Sequence, residues 1–281
     1  MKMRAFGVLG VVLGGVVLGF GGVTASAQSF EAFGFKSTSD FAPPEFGDDD
    51  IVRLIGTLDR LLTADRNPEI WRDTAGDALR QFARRLQTGR LSPQQERTVL
   101  THLDQIARSR PEAAPLVAGP RRMISELTVG KTAPEITGVD LDGRPLKLSD
   151  YRDKVVVLVF SADWCAICKT QAPYERFLLE RYDKWPFALL GVETGNSREA
   201  ARLAQSAGAG AHRSWWDASA AGETSGPIAG AWNVTGWPAS YVIDGDGVIR
   251  FVDLRDEDLL KAVRQLVDAQ VDRDAKAKRA R

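Results

Sequence analysis

The strongest constraint on the fold is the stretch VVVLVFSADWCAICKTQAP at positions 155–173. Its first part, Val155–Phe160, is a run of β-branched and apolar residues that predicts a buried strand. A turn follows, and then a helix-forming stretch that contains Pro173. Cys165 and Cys168 therefore stand where the strand ends and the helix begins. In an open α/β sheet, that edge is where ligands and chemistry usually lie.

The spacing of the two cysteines indicates their chemistry. Cys165 is expected at the helix N-terminus, where unpaired N–H groups and the helix dipole favour a thiolate. Its pKa should therefore fall below the free value of about 8.5. Cys168 is one helical turn further on and is expected to lie deeper, where burial raises a thiol pKa. The motif predicts a dithiol–disulfide redox centre.

Other uses of a Cys-x-x-Cys pair remain as alternatives. A structural zinc site needs four ligands, and the chain's only histidines are His102 and His212, so no metal site is expected. His102 is expected to lie on a helix face. A purely structural disulfide closing so short a loop would constrain the unfolded chain little. A peroxidatic cysteine would normally follow a Thr or Ser at the position held by Ala162. Thiol–disulfide exchange is favoured.

Length and charge limit the broad class of protein. The chain has 281 residues, which favours two domains with flanking segments. It carries 37 basic and 37 acidic residues, so no charge excess indicates a nucleic-acid partner. Its two cysteines are both in the motif, and a second disulfide within one chain is therefore excluded.

Residues 1–27 have the pattern of a signal peptide. Lys2 and Arg4 precede an uncharged run over residues 5–23, and Ala25-Ser26-Ala27 supplies a small-residue cleavage site. The alternative is an uncleaved anchor, because the run approaches the ~20 residues that span a bilayer. Membrane contact is expected only in that case. The pattern predicts export to the periplasm or envelope of a bacterium, an oxidising compartment.

A helical section is expected at residues 48–127, after an irregular lead-in at 28–47. Apolar residues recur there at helical spacing, with no motif that indicates chemistry. The predicted helix starts are the acidic run Asp48–Asp50, Asn67-Pro68, and Ser92-Pro93 with Gln95 completing a capping box; a fourth helix should end near Leu127.

An α/β section is expected at residues 128–271, followed by a basic tail at 272–281. It should begin with a β-hairpin around the turn Asp142-Gly143. Trp215 and Trp216 are expected in a loop. The predicted elements are hairpin strands Ile136–Leu141 and Arg144–Leu148, strands Val155–Phe160, Phe187–Glu193, Ala239–Ile243 and Val248–Val252, and a last helix Asp256–Val271.

Across residues 129–271 the sequence resembles the thioredoxin superfamily, specifically the TlpA/ResA-like redoxins of the bacterial envelope. The resemblance rests on Ala133-Pro134, Asp142-Gly143, Leu148-Ser149, Trp164-Cys165-x-x-Cys168-Lys169, Pro173, Gly236-x-Pro238 and Ile243-Asp244-x-x-Gly247. It implies a thioredoxin-like fold with an N-terminal β-hairpin extension, preceded here by the helical section.

The resemblance also implies roles for individual residues. Cys165 would be the attacking nucleophile and Cys168 the resolving thiol, with Lys169 tuning the thiol pKa. Pro238 would be the cis-proline that faces the disulfide. The expected substrate groove, called here the exchange groove, consists of Trp164, Ala166, Ile167, Trp237 and Pro238. No cofactor is expected.

The chain departs from the family at the proton acceptor. Thioredoxins keep a buried Asp six residues before the first cysteine, where this chain has Val159. TlpA/ResA-like proteins often carry Glu three residues after the second cysteine, where this chain has Gln171. Both usual acceptors are therefore missing, and Glu193 and His212 are disfavoured as replacements.

The leading hypothesis is an exported thiol:disulfide oxidoreductase of cell redox homeostasis that acts on protein disulfides or dithiols. The resemblance favours the reducing direction, fed by a membrane electron donor, although the same chemistry runs in reverse when the reduced form is strongly stabilised. The alternatives are a redox-sensing adaptor that binds a partner through its helical section, and a thiol peroxidase.

Overall fold

The computed structural model describes residues 42–63, 68–195, 197–207, 212–219 and 225–279. The expected signal peptide, and the lead-in as far as residue 41, lie outside these residues. All the described residues belong to one compact unit. Among them, no helix has both the length and the apolar character needed to cross a membrane.

The expected helical section is observed, with helices at the starts that the sequence marks. Its members are α1 (Asp48–Thr63), α2 (Pro68–Gln87), α3 (Pro93–Ser109) and α4 (Ala114–Glu126), the last entered through a 3₁₀ turn at Pro111–Ala113. The capping box of α3 is confirmed. The Ser92 hydroxyl accepts from the Gln95 backbone N–H at 3.2 Å, and the Gln95 side chain accepts from the Ser92 backbone N–H at 2.9 Å.

The α/β section has the thioredoxin-like fold and the hairpin extension that the resemblance implies. The hairpin pairs β1 (Thr137–Val139) with β2 (Pro145–Lys147). The remaining strands are β3 (Val155–Ala162), β4 (Phe187–Thr194), β5 (Arg213–Trp216), β6 (Ala239–Ile243) and β7 (Ile249–Val252); the helices are α5 (Ala166–Arg181), α6 (Arg198–Ala207), α7 (Pro227–Ala231) and α8 (Asp256–Arg279). These five strands form one sheet with the order β5-β4-β3-β6-β7. Strand β3 runs parallel to β4 and antiparallel to β6.

The helical section and one face of the sheet share a hydrophobic core. Val156, Leu158 and Phe160 of β3 belong to the same buried cluster as the apolar residues of α1–α4. Because side chains alternate along a strand, Val157 and Val159 point to the opposite face, where α5 and α8 pack. The sheet is thus covered by the helical section on one side and by the helix after the cysteines on the other.

Polar contacts reinforce this shared core. The Gln87 side-chain amide donates to the Tyr241 hydroxyl at 2.9 Å and to the Leu127 carbonyl at 3.0 Å. Gly119 of α4 fits so closely against the loop before β6 that a Cβ added to it would lie 2.3 Å from the Asn233 side-chain oxygen. The domain boundary expected at residue 128 stays a prediction, but described residues on both sides of it belong to one hydrophobic core.

Two sequence-based expectations were wrong. Residues 213–216 form edge strand β5 and not a loop. Its pairing with β4, and the Trp215 indole N–H donating to the Leu146 carbonyl at 3.0 Å, are long-range contacts that local sequence does not reveal. The last helix continues to Arg279, beyond Val271. Helix-forming residues fill this extension, and Arg273 forms an ion pair with Asp246 at 2.7 Å.

Smaller differences concern strand ends. Strand β3 continues to Ala162, beyond the expected Phe160, and both hairpin strands are shorter than expected. Such ends depend on which neighbouring strand offers a hydrogen-bonding partner. The extra residues of β3 matter for the site, because Ser161 and Ala162 extend the strand toward the cysteines.

Candidate active site

Cys165 and Cys168 form a disulfide at the N-terminus of α5, with their Cα atoms 5.3 Å apart. Cys165 is the N-cap residue, and its sulfur accepts from the Cys168 backbone N–H at 3.1 Å. An N–H of the first helical turn, which has no acceptor within the helix, thus donates to the sulfur that would carry the negative charge after reduction.

Several residues expected to line the exchange groove lie beside this disulfide: Trp164, Ala166 and Ile167 flank the cysteines in the chain, and Trp237 packs against their cluster. Trp164 and Ile167 are 49% and 55% exposed, an unusual exposure for large apolar side chains. The rings of Trp164 and Trp237 meet edge to face at 5.4 Å between centroids. The Trp237–Pro238 peptide bond is cis, as the resemblance implies. Exposed apolar surface next to a reactive group is typical of a contact surface for another chain.

The expectation that Cys168 is the more buried cysteine was wrong. Cys165 is 5% exposed and Cys168 is 9% exposed, so both residues are buried. The physical reason is that both cysteines belong to one buried cluster with Ala162, against which Trp237 packs.

A small cavity lies behind Cys168, between α5, α6 and the sheet. Its volume is about 50 Å³, against ~10–15 Å³ for one water molecule. Its polar lining is Ser161, Lys169, Glu175, Glu193, Gln205 and His212; its other lining residues are Val159, Ala162, Cys168, Ala172 and Ala204.

Two of these residues are buried carboxyl groups, called here the carboxyl pair. Glu175 lies on the face of α5 that also carries Cys168 and Ala172, and burial raises its pKa to about 7. Glu193 is on β4, directly across from Ser161 of β3. The Glu193 pKa is raised to about 8, mainly by burial and also by the charges of Glu175 and Asp163, while a hydrogen bond with the Ser161 side chain opposes the rise.

Other titratable groups stand near Cys168, although both usual acceptors are missing. Glu175, which the motifs did not single out, lines the cavity with Cys168, as do Glu193 and His212, which were disfavoured from the sequence. One signal was present in the sequence. Positions i, i+4 and i+7 of a helix share one face, which places Glu175 below Cys168 and Ala172.

Gln171, at the family's usual acceptor position, has a different role. Its amide N–H donates to the Asp256 carboxylate at 3.0 Å, and its carbonyl accepts from the Asp256 backbone N–H at 3.2 Å. This residue connects α5 to the start of α8.

The remaining candidates lie as follows. Lys169 follows Cys168 and is exposed at the rim of the cavity. Ala166 is the exposed first residue of α5, beside Cys165. His102 is remote from the site, on α3, where its ring contacts the Asp59 carboxylate at 2.8 Å, as expected for a helix-face residue.

Comparison with known proteins identifies a relationship over the α/β section. Residues 129–252 match the model of the AhpC/TSA family. The thiol-disulfide oxidoreductase ResA of Geobacillus thermodenitrificans is 39% identical over 72 residues, which are 26% of this chain and 41% of that protein. ResA of Bacillus cereus strain ATCC 10987 is 25% identical over 126 residues, covering 44% of this chain and 68% of that protein. The resemblance to redoxins is confirmed for this part of the chain.

Solved structures show a similar range of coverage. The thioredoxin domain of a thiol-disulfide oxidoreductase from Bacteroides vulgatus aligns with a TM-score of 0.45 and 25% identity, over 50% of this chain and 99% of that one. A putative thiol:disulfide interchange protein DsbE from Chlorobium tepidum aligns at 0.42 and 24%, over 50% and 96%. The chain spans 41% of the length of the first ResA relative.

Proposed function

We propose that this protein is an exported thiol:disulfide oxidoreductase that exchanges disulfides with partner proteins through Cys165 and Cys168. The observation that carries the proposal is the disulfide itself, placed at a helix N-terminus and flanked by exposed Trp164 and Ile167. The match of residues 129–252 to redoxins supports it.

The chemistry follows from the positions of the two sulfurs. In the reduced protein, the Cys165 thiolate attacks one sulfur of a partner disulfide, and the other partner sulfur leaves as a thiolate that takes up a proton. Cys168 then loses its proton and attacks the Cys165 sulfur. The mixed disulfide breaks, and the second partner sulfur leaves with the electron pair. The protein dithiol is oxidised and the partner disulfide is reduced to two thiols.

The exchange groove would hold the partner. Trp164, Ile167 and Trp237 form an apolar surface around the disulfide, and they fit an extended partner segment with apolar side chains beside its cysteine. Lys169, at the rim of the cavity behind Cys168, adds a positive charge that favours the thiolate form of a nearby cysteine.

Direction and location complete the proposal. We propose that the protein works as a reductant in the bacterial envelope and receives electrons from a membrane donor. The sequence of residues 1–27 supports export, and the resemblance to TlpA/ResA-like redoxins favours the reducing direction, which requires that the dithiol be regenerated.

An insulin assay tests this function. With a dithiol supply, the purified protein should reduce insulin disulfides. Cys165→Ser should abolish the activity, whereas Cys168→Ser should accumulate mixed disulfides visible on non-reducing gels, because the resolving thiol is missing. Val52→Ala, at an exposed apolar position of α1, is the matched control. Wild-type protein without insulin reductase activity, or equal trapping by both cysteine variants, would contradict the proposal.

A titration against glutathione redox buffers decides the direction. A reductant should have a reduction potential near that of thioredoxin, about −270 mV, whereas an oxidant should lie near −120 mV.

A further inference from the structure

The cavity behind Cys168 is lined by two buried carboxyl groups that the proposed exchange cycle leaves without a role. Glu175 and Glu193 are 8% and 6% exposed. A buried carboxyl group costs stability unless it is neutral or well paired, so two of them facing one small cavity need an explanation.

The geometry limits what this pair can do. Both carboxyl groups line the cavity that Cys168 also lines, and its volume admits a few water molecules. Gln171 is bound to Asp256 and is not among the lining residues. The usual acceptor position is thus occupied by a structural amide, while a carboxyl group stands one helical turn further along α5.

The cavity adjoins a surface cleft. Gln205 and His212 line both this cavity and a cleft of about 400 Å³ beside the β-hairpin, which also includes Arg202 and Arg213. These two side chains therefore stand between the carboxyl groups and the cleft, on the side of α6 and β5.

We propose that Glu175 and Glu193 share one proton and together accept the proton of Cys168 when it resolves the mixed disulfide. This inference rests on the proposed function. The Cys168 thiol gives its proton through cavity water to the carboxylate of the pair, its sulfur attacks Cys165, and the partner leaves as a thiolate. The proton then exchanges with solvent through the adjoining cleft. The carboxyl pair acts on the resolving thiol and does not touch the partner protein.

Like charges make the pair suited to this role. Two carboxyl groups in one buried site hold a shared proton near neutral pH, because ionising both is unfavourable. The raised pKa values of about 7 and about 8 agree with this arrangement. The titratable groups around them are Asp163 after β3, Cys168 and Lys169 on α5, and His212 before β5.

Stopped-flow mixing with dithiodipyridine, a neutral aromatic disulfide, separates the two chemical steps. Reduced protein should release thiopyridone in a concentration-dependent phase, when Cys165 attacks, and then in a concentration-independent phase, when Cys168 resolves the adduct. We expect Glu175→Gln and Glu193→Gln to slow the second phase about tenfold or more near pH 7 and leave the first phase unchanged. Both should also remove the inflection that the pair gives to the pH–rate profile of the second phase. Glu180→Gln, at an exposed position of the same helix, should match wild type.

The outcomes separate this inference from the proposed function. If the second phase is unchanged or faster in both Gln variants and insulin reduction is intact, the proposed role of the carboxyl pair is contradicted. The proposed oxidoreductase function is then unaffected. Wild-type protein that shows no second phase and no insulin reduction overturns both. If one variant fails to fold, the other decides, because each removes one half of the shared-proton site.

Discussion

Gln171 and Asp256 bind each other reciprocally, the side-chain amide donating to the carboxylate at 3.0 Å and accepting from the backbone N–H at 3.2 Å. The pair joins the helix after the cysteines to the first residue of α8. Gln171 is buried whereas Asp256 is exposed, so the two hydrogen bonds lie at the edge of the packed interface. The amide therefore stabilises the packing of α5 against α8 at the position where the resemblance leads us to expect an acid.

Restoring that acid should be harmful here. Gln171→Glu removes the donor and sets a carboxylate against the carboxylate of Asp256, so we expect a loss of about 1–3 kcal/mol in the free energy of unfolding. Chemical denaturation of the oxidised protein measures it. The double variant Gln171→Glu with Asp256→Asn returns a donor and should recover much of the loss. Full stability of the single variant would contradict this account.

The carboxyl pair should make stability depend on pH. The pKa of Glu193 is raised from 4.5 to about 8 in the folded protein, so between these values the folded state binds more protons than the unfolded state. The resulting stabilisation is complete below about pH 4.5 and is lost as pH rises through about 8. The slope can reach about 1.4 kcal/mol per pH unit for each proton.

Denaturation curves between pH 5 and pH 8 test this linkage (limits set by the ordinary and raised glutamate pKa values). Glu193→Gln should flatten the decline and raise stability at the alkaline end, whereas the exposed Glu180→Gln should keep the wild-type slope. An equally steep decline in Glu193→Gln would assign the pH dependence to other groups.

The exchange groove should matter for protein substrates only. Trp164→Ala and Ile167→Ala each remove an exposed apolar contact, which we expect to cost about 1–2 kcal/mol of transition-state binding, on the order of tenfold in kcat/KM for insulin. Turnover of a small disulfide should change little, because so small a substrate does not contact Trp164 or Ile167. Val52→Ala is the control at a distant exposed apolar position. Equal losses on both substrates would show that the groove acts on the sulfurs and not on partner binding.

The link between Gln87 and Tyr241 should contribute measurably to folding. Gln87→Leu leaves the Tyr241 hydroxyl and the Leu127 carbonyl buried without this donor, at about 1–3 kcal/mol for each group. Adding Tyr241→Phe should recover the part due to the hydroxyl. Thermal unfolding by circular dichroism gives both values, and additive losses in the double variant would argue against a direct interaction.

A fragment of residues 129–271 tests the domain boundary. From the sequence this fragment is expected to fold by itself, but the shared core means that it exposes Trp232 and the sheet face that carries Phe160. We now expect it to be less stable than the whole chain and to bind hydrophobic dyes. If the fragment has the same unfolding midpoint as the whole chain, residues 129–271 are an independently folding domain and the expected loss of stability is contradicted.

What the sequence predicts depends on how local the determining contacts are. The capping box of Ser92 and Gln95 needs only residues three apart, and β3 needs only its own apolar run, so both were predictable. Strand β5 depends on β4 and the hairpin, which are distant in sequence.

The site shows the same division. Cys165, Cys168 and the cis Trp237–Pro238 bond follow from local motifs and the resemblance. The carboxyl pair requires knowing that Glu193 stands across from Ser161 in the sheet and that Glu175 faces the same cavity. The hydrophobic pattern of the sequence does not predict that these two glutamates are buried.

The tight fit of Gly119 against Asn233 has a consequence for modularity. Arg84 of α2 likewise reaches the loop before the cis bond, where a Cβ on Gly236 would lie 3.5 Å from its guanidinium nitrogen. The helical section and the loop that faces the disulfide are therefore matched in shape, as the two halves of an obligate complex are. A chimera that joins these helices to another redoxin would have to recreate that fit, so the two parts are expected to be exchanged together and not as separate modules.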